Sequence, residues 1–298
     1  MSEKVRIYLE DWLLNSGIVG LYNILYKSKD SVTTGDNYIE FDIEVLNNFE
    51  EKYFSYFIFE YEKSLTWYKI ISFEDVIYIH EQNKLQKFDE KSLEYLNKYI
   101  SDTAKKFVKS NSYVAAFELI GIKEEMQSLE KDLVTLKLKK GQSLQDIFPE
   151  VIKTFDVIKK IISNLKRTEV KRYVAAKNVM YSIIKNGWNG VCFLNPQTKE
   201  KDMYKDYKEY FVSPAIEYIN SDKSKYKYDC YACGEKMKDM KNDLAFLNEI
   251  GFDVNRKSSH VWNFNNDIAV CPICKLVYSC VPAGFSYAID SGIYVNEN

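Results

Sequence analysis

The sequence predicts an α+β protein with a helix-rich N-terminal domain, short strands and a C-terminal subdomain held together by four cysteines. Three observations predict this fold. Residues 92–186 carry apolar side chains at helical spacing over several consecutive runs. Residues 38–45 alternate apolar and polar side chains, as a half-buried strand does. Two Cys-x-x-Cys pairs lie in the last quarter of the chain.

The N-terminal elements follow from their periodicity. Residues 5–28 place leucines and isoleucines at approximate helical spacing, which predicts a helix whose small residues Gly17 and Gly20 allow close packing. Residues 38–45 predict a strand, and the Tyr- and Phe-rich run 49–63 predicts a return to helix.

The middle of the chain predicts a succession of helices, over 123–141, 147–166 and 169–187, with Gly141 and Gly187 as C-terminal stops. Short β-prone runs follow at 190–196 and from Asp267 to the end.

We expect two regions along the chain. Residues 1–225 form the N-terminal α+β domain, and residues 226–298 form a metal-binding region packed on that domain or inserted in it.

Composition limits the class of protein. With 46% hydrophobic and 28% charged residues, the 298-residue chain is neither disordered nor collagen-like. The N-terminus has no apolar run long enough for a signal peptide, and the most apolar runs are too short or interrupted to span a bilayer. We therefore expect a cytoplasmic protein that does not enter a membrane, in which six cysteines serve metal or redox chemistry rather than structural disulfides.

The paired cysteines match a closed metal site. Four thiolates complete a tetrahedral Zn²⁺ site and leave no position open for water. Gly234 allows a tight turn after the first pair, and Pro272 stiffens the second pair. The candidate ligands of structural Zn²⁺ are Cys230, Cys233, Cys271 and Cys274.

Alternatives to this zinc site remain open. The 37 residues between the pairs exceed the spacing of a minimal zinc ribbon, so zinc would join the ends of a small subdomain. The other interpretations of the two Cys-x-x-Cys pairs are a redox pair, a labile iron–sulfur cluster or four unrelated thiols. Cys192 and Cys280 have no partner at such spacing and are expected to be core thiols, although Cys280 or His260 could replace one ligand.

No catalytic site is visible, and we expect the protein not to be an enzyme. A zinc deaminase needs His-x-Glu, whereas Glu81 directly follows His80. The chain has no Walker loop, no Gly-x-Ser-x-Gly and no His-Glu-x-x-His motif. The adjacent residues Ser259 and His260 do not predict a nucleophile and its base.

Positive charge is concentrated in one segment, although the net charge is only −2. Residues 159–177 hold seven Lys or Arg and a single acidic residue, whereas residues 1–60 hold five basic and eleven acidic side chains. Such a helix could contact phosphates, or it could simply be a solvated face. The candidate nucleic-acid-binding residues here are Lys160, Lys166, Arg167, Lys171 and Arg172.

A second candidate patch lies between the cysteine pairs, within residues 255–265. It mixes cations, hydroxyls, an imidazole and an indole, a composition that suits phosphate contacts and base stacking. Alternation of Trp262 with Phe264 is also typical of a core-facing strand. The candidate residues are Arg256, Lys257, Ser258, Ser259, His260 and Trp262.

The chain also resembles a known family. Three segments resemble the large subunit of type I-B CRISPR Cascade effector complexes, the Cas-eight-b (Cst-one) group. They are the N-terminal run "YLEDWLLNSGIVGLYNIL", the strand "NYIEFDIEVL" and the run from "CYACGEK" through "RKSSHVWNF" and "CPICKLVYSC" to "VPAGF". The resemblance places the four cysteines on the family's zinc ligands and residues 256–260 on its characteristic linker.

The resemblance implies a non-catalytic subunit for antiviral defence. It would bind the 5′ handle of the guide RNA and double-stranded target DNA near the protospacer-adjacent motif. Its partners would be the other Cascade subunits and the helicase-nuclease. Members of the group are longer, with a C-terminal helical region that follows the position where this sequence stops, so a truncated or split subunit is expected.

Two other functions compete with this one. A zinc-stapled protein–protein adaptor would not bind nucleic acid, and its association would lack the steep salt dependence of phosphate contacts. A metal-dependent nuclease would need clustered carboxylates for Mg²⁺, which the sequence does not indicate.

Overall fold

The computed structural model describes residues 4–250, 268–288 and 291–296. Helices predominate over short antiparallel strands, which confirms the predicted α+β class. The strands are β1 Lys4–Tyr8, β2 Val32–Thr34, β3 Tyr38–Asp42, β4 Tyr228–Asp229, β5 Lys236–Met237, β6 Ser286–Ala288 and β7 Ser291–Ile293. The α-helices are α1 Trp12–Lys27, α2 Phe49–Tyr61, α3 Thr66–Ile71, α4 Phe73–Gln82, α5 Glu90–Lys98, α6 Lys105–Lys109, α7 Asn111–Ile120, α8 Lys123–Asp132, α9 Phe148–Lys166, α10 Thr168–Ser182, α11 Met203–Tyr207, α12 Ser213–Ile219, α13 Pro272–Ser279 and α14 Val281–Gly284.

The chain divides into two compact units. One unit combines residues 1–60 with residues 179–298, and the other consists of residues 61–178. Both cysteine pairs therefore lie in the unit that also contains the N-terminal strands and α1.

A three-stranded antiparallel sheet in the order β1-β3-β2 begins the first unit. Val5 and Ile7 are buried, and they face Phe41 and Ile39 across the ladder. The prediction of a single helix from Val5 to Ser28 is therefore wrong at its start. Alternating burial along β1 is the pattern of a strand, and the helix begins only after Asp11, whose carboxylate accepts hydrogen bonds from the first turn.

The glycines of α1 confirm the predicted close packing. A Cβ at Gly17 would lie 2.6 Å from the carbonyl oxygen of Val277, and one at Gly20 would lie 2.0 Å from that of Cys280. Both distances are too short for any side chain. These two glycines thus let α1 pack directly against α13 and α14, the helices that follow the second cysteine pair.

Ser279, the last residue of α13, fixes the other end of that helix. Its carbonyl oxygen accepts hydrogen bonds from the Tyr53 hydroxyl at 3.0 Å and from the Trp188 indole nitrogen at 2.9 Å. Its hydroxyl lies 2.7 Å from that of Tyr207. All four residues are buried. Because these polar groups are satisfied within an aromatic core, α13 is held in one position.

The second unit is an all-helical bundle around α9. Val151, Phe155, Ile158, Ile162 and Leu165 form one apolar face of α9 and lie in a continuous core. The Trp67 side chain joins this core and donates to the carbonyl oxygen of Leu165 at 2.9 Å.

Three further expectations for secondary structure need correction. Residues Ile43–Leu46 form a 3₁₀ helix rather than the second half of a strand. The helix predicted to reach Gly141 ends at Asp132, with residues 133–139 non-helical. The run after Cys271 forms α13 and α14 before the last short strands, although its composition is β-prone. Within the described residues, no helix combines the length and apolar character needed to cross a membrane.

Candidate metal centre

The first cysteine pair lies in the turn of a small hairpin. Strands β4 and β5 pair antiparallel, and Cys230 and Cys233 lie between them. The Cys230 amide donates to the carbonyl of Glu235 at 2.8 Å, and the Gly234 amide donates to the carbonyl of Cys230 at 2.9 Å. Gly234 has a φ of +71°, which a side chain would disfavour, so glycine is needed here for its backbone conformation.

The second pair begins a helix. Cys271 is the N-cap of α13, and its Sγ accepts a hydrogen bond from the Cys274 amide at 3.5 Å. Pro272 occupies the first helical position, where its missing N–H costs nothing and its fixed φ suits the helix. The Cys-Pro-x-Cys sequence therefore starts the helix and turns both sulfurs to the same side.

The backbone brings the two pairs together. The Cys271 amide donates to the Sγ of Cys230 at 3.1 Å. The Tyr231 amide donates to the carbonyl of Ala269 at 2.9 Å. Thus each pair contributes hydrogen bonds that hold the other, and N–H groups aimed at sulfur stabilise the thiolate form.

The four sulfurs have the spacing of a tetrahedral metal site. They all lie within 4.8 Å of one another, and the Sγ atoms of Cys233 and Cys271 are 3.7 Å apart. With metal–sulfur bonds of about 2.3 Å, a tetrahedral site has sulfur–sulfur distances of about 3.8 Å. Cys233 is exposed and the other three cysteines are buried. The residues present therefore fit a metal ion, and these four cysteines could hold one.

Hydrogen bonds within the cluster shift the pKa values of three of its thiols. Hydrogen bonds from the thiols of Cys233, Cys271 and Cys274 hold the pKa of Cys230 far below its usual range. The pKa of Cys271 and that of Cys274 are raised, first of all by their hydrogen bonds to Cys230. Since metal ligation requires thiolates, a divalent cation bound here would displace the protons of Cys271 and Cys274.

The remaining cysteines are core thiols, as predicted. Cys192 and Cys280 are buried outside the cluster. Burial raises the pKa of Cys280 to about 12, and its thiol donates to the carbonyl of Leu276 at 3.4 Å. Burial also raises the pKa of Cys192, so both thiols are kept neutral. His260, the other alternative ligand, lies outside the described residues.

The basic residues of 159–177 lie on two consecutive helices. Lys160 and Lys166 lie on α9, Arg167 lies between the helices, and Lys171 and Arg172 lie on α10. Lys160 is exposed, and it has no ion pair within the part of the chain that the structure describes.

Acidic neighbours reduce the positive charge of this segment. Lys166 pairs with Glu74. Arg167 pairs with Glu169 at 2.6 Å, and Lys171 pairs with Glu62 at 2.7 Å. Arg172 donates to the Tyr173 hydroxyl at 3.0 Å. A phosphate would compete with glutamates for three of the five candidate cations.

The second candidate patch lies entirely outside the described residues. Its members are Arg256, Lys257, Ser258, Ser259, His260 and Trp262.

Sequence reasoning missed a lysine- and tyrosine-rich segment that directly precedes the first cysteine pair. Lys223, Lys225 and Lys227 alternate with Tyr226 and Tyr228 in the run "KSKYKYD". Cations interleaved with aromatic residues are a recognised signal for nucleic-acid binding, so the segment was detectable from sequence alone.

Together, the fold and the cluster define a helix-rich α+β protein with a Cys₄ candidate metal centre. Comparison with protein families goes one step further: residues 223–286 match the family described as CRISPR-associated protein (Cas_CXXC_CXXC). The match covers about a fifth of the chain and contains both cysteine pairs. It indicates a CRISPR-associated protein with a pair of Cys-x-x-Cys motifs. No curated protein and no solved structure matches the chain.

Proposed function

We propose that this chain is a non-catalytic large subunit of a type I-B CRISPR Cascade complex. In this role it binds the 5′ handle of the guide RNA and the target DNA near the protospacer-adjacent motif. The observation that carries the proposal is the family match over residues 223–286, which coincides with the four converging cysteines. The resemblance of the N-terminal segments to the large subunit supports the finer assignment.

The metal in this proposal is structural Zn²⁺, held by all four cysteines. When bound, zinc supplies four bonds to sulfur that join the β4–β5 hairpin to the start of α13, with no position left for water. Residues of the chain stabilise the thiolates and hold α13 in place. Backbone amides stabilise the thiolates, and Ser279 anchors the far end of α13 in the aromatic core.

The partners follow from the proposed role. They are the other Cascade subunits, the guide RNA, double-stranded target DNA and the helicase-nuclease of the system. A CRISPR-associated protein acts with other components of its system, which supports this set in general terms.

A protein–protein adaptor that does not bind nucleic acid is the second candidate. The ion pairs of Lys166, Arg167 and Lys171 with glutamates favour it, because they leave less free positive charge than the sequence suggests.

The salt dependence of RNA binding separates the two candidates. Fluorescence anisotropy would measure the affinity of the zinc-loaded chain for the guide RNA of its own system across a range of salt concentrations. The proposed function predicts binding that weakens steeply with salt, since each phosphate contact releases counterions. Absence of binding at low salt, together with intact zinc content, would leave the adaptor as the function.

A further inference from the structure

A cavity of about 340 Å³ lies beside the cysteine cluster, in the unit formed by residues 1–60 and 179–298. Its apolar walls are Pro214, Tyr218, Tyr226, Met237 and Pro272. Its volume falls in the range of small-ligand pockets, about 300–1,000 Å³. Pro272 belongs to the second cysteine pair and Met237 to β5, so the metal centre helps to shape this cavity.

Two tyrosine rings, those of Tyr218 and Tyr226, line the cavity. Their rings are nearly parallel, at 24°, with centroids 6.4 Å apart. The Tyr218 hydroxyl donates to the carbonyl of Lys236 at 2.7 Å, which fixes that ring against the hairpin. Tyr218 is buried, whereas Tyr226 is only half-buried. The ring of Tyr226 is therefore the face available to a planar ligand.

Lysines are frequent in the segment that contributes Tyr226 and Lys238 to the cavity. Residues 223–241 contain six lysines and three acidic residues. Lys236 pairs with Asp229 at 2.6 Å, and Lys241 pairs with Asp239 at 3.8 Å. Lys225, Lys227 and Lys238 are exposed, and none of them has an ion pair among the residues the structure describes; Lys238 also lines the cavity. These lysines are thus available to phosphates.

Two acidic residues also line the cavity. Glu217 and Asp239 lie among its lining residues. Carboxylates repel phosphates, but they accept hydrogen bonds from the N–H groups on the edge of a nucleobase. The partly exposed ring of Tyr226, the carboxylate acceptors and the nearby lysines are therefore groups that can bind the base and the phosphates of a nucleotide within a strand.

We propose that this cavity binds one base of a single-stranded nucleic acid. The base stacks on the ring of Tyr226, and the adjoining phosphates contact Lys225, Lys227 and Lys238. The inference rests on the proposed nucleic-acid-binding function and specifies where a single strand contacts the chain.

The test compares Tyr226 with an exposed tyrosine of the same unit that lies outside the lysine- and tyrosine-rich segment. The zinc-loaded full chain would be titrated with fluorescein-labelled single-stranded DNA and RNA of about 12 nucleotides, a length that covers a typical single-strand site. Tyr226→Ala should weaken binding about tenfold, the effect of losing one stacked base. Tyr26→Ala is the control and should leave the affinity within about twofold, because Tyr26 is exposed on α1 and does not line the cavity.

Further variants separate stacking from folding. Tyr226→Phe keeps the aromatic ring and should bind as the wild type does. Lys238→Gln should reduce the salt dependence by about one phosphate contact. A strand that carries 5-bromouracil should crosslink under ultraviolet light to the peptide that contains Tyr226, as located by mass spectrometry.

Each alternative outcome overturns a different part of the account. Equal affinities for Tyr226→Ala and the wild type, with crosslinks elsewhere, would refute this cavity while nucleic-acid binding stands. No binding of either strand by the wild type at low salt would refute the proposed nucleic-acid function as well. Binding of AMP as tight as that of the strand would assign the cavity to a free nucleotide instead.

Discussion

Replacement of Cys271 by alanine is the sharpest perturbation of the metal centre. Cys271 contributes a sulfur to the cluster, caps α13 and donates its amide to the Sγ of Cys230. Alanine leaves the amide but removes the ligand and the cap. Loss of the cap alone costs about 1 kcal/mol. Loss of zinc is the larger effect, since structural zinc contributes on the order of 10 kcal/mol to folding.

That magnitude compares with the whole stability of a domain, about 5–15 kcal/mol. We therefore expect the Cys271→Ala protein to lose its zinc and to unfold around α13 and the β4–β5 hairpin. Residues 61–178 have their own hydrophobic core and should remain folded. Elemental analysis would measure the zinc, and hydrogen exchange with mass spectrometry would show fast exchange in residues 223–286 beside protected amides in 61–178.

Cys280→Ala is the matched control. Cys280 is as deeply buried as Cys271, but it lies outside the cluster. This variant should keep its zinc and lose only about 1 kcal/mol of stability, through a small cavity. If Cys271→Ala retained zinc, or kept α13 protected from exchange, the assignment of Cys271 as a ligand that holds the fold would be refuted.

Three further predictions concern packing, hydrogen bonding and pH. Gly20→Ala should destabilise the protein by about 3 kcal/mol in urea unfolding, because its Cβ would lie 2.0 Å from the carbonyl oxygen of Cys280. Ser279→Ala should cost about 1–3 kcal/mol in the same assay, since it leaves the buried Tyr207 hydroxyl without its partner. Burial lowers the pKa of His80 below 6.5, although Asp89 partly opposes the shift, so the unfolded chain takes up a proton first as the pH falls. The stabilising contribution of the neutral His80 should be complete above about pH 6.5 and be lost progressively below it. The free energy of unfolding measured at about pH 7.5 and 5.5 would show this loss, and His80→Gln should reduce the difference between the two values.

These three predictions have a control variant and outcomes that would contradict them. Ser163→Ala, at an exposed position of α9, should change stability by less than about 0.5 kcal/mol. An unchanged Gly20→Ala protein would mean that α1 does not pack so closely on α14. Neutral behaviour of Ser279→Ala would show that Tyr207 finds another partner. If the stability of the wild type and that of His80→Gln depended equally on pH, the pH dependence would arise from other groups.

The cluster of four cysteines was predictable because each pair is defined by residues that are adjacent in the sequence. Each pair spans four residues; Gly234 supplies the left-handed backbone conformation after the first pair, and Pro272 is the first residue of α13. Convergence of two distant pairs then follows from the chemistry of a four-sulfur site. Helix α13 was missed for a related reason. Its Val-, Ile- and Tyr-rich composition favours a strand, whereas the N-cap Cys271 and the N1 proline start a helix.

The electrostatics of the basic helices could not be predicted, because the partners are distant in sequence. Glu62 lies 109 residues from Lys171, and Glu74 lies 92 residues from Lys166. Only the packing of α9 and α10 within their unit brings these carboxylates to the cations. The start of β1 was mispredicted on similar grounds, since its strand character depends on pairing with β3 across more than thirty residues.

The most direct test of the proposed function is purification of the tagged chain, coexpressed with the other subunits and a guide RNA of its CRISPR system. RNA and zinc would be quantified in the same sample. The account predicts a complex that contains the guide RNA and one zinc ion per copy of this chain. Recovery of the zinc-loaded chain alone, with neither RNA nor other subunits, would contradict the assignment as a Cascade subunit.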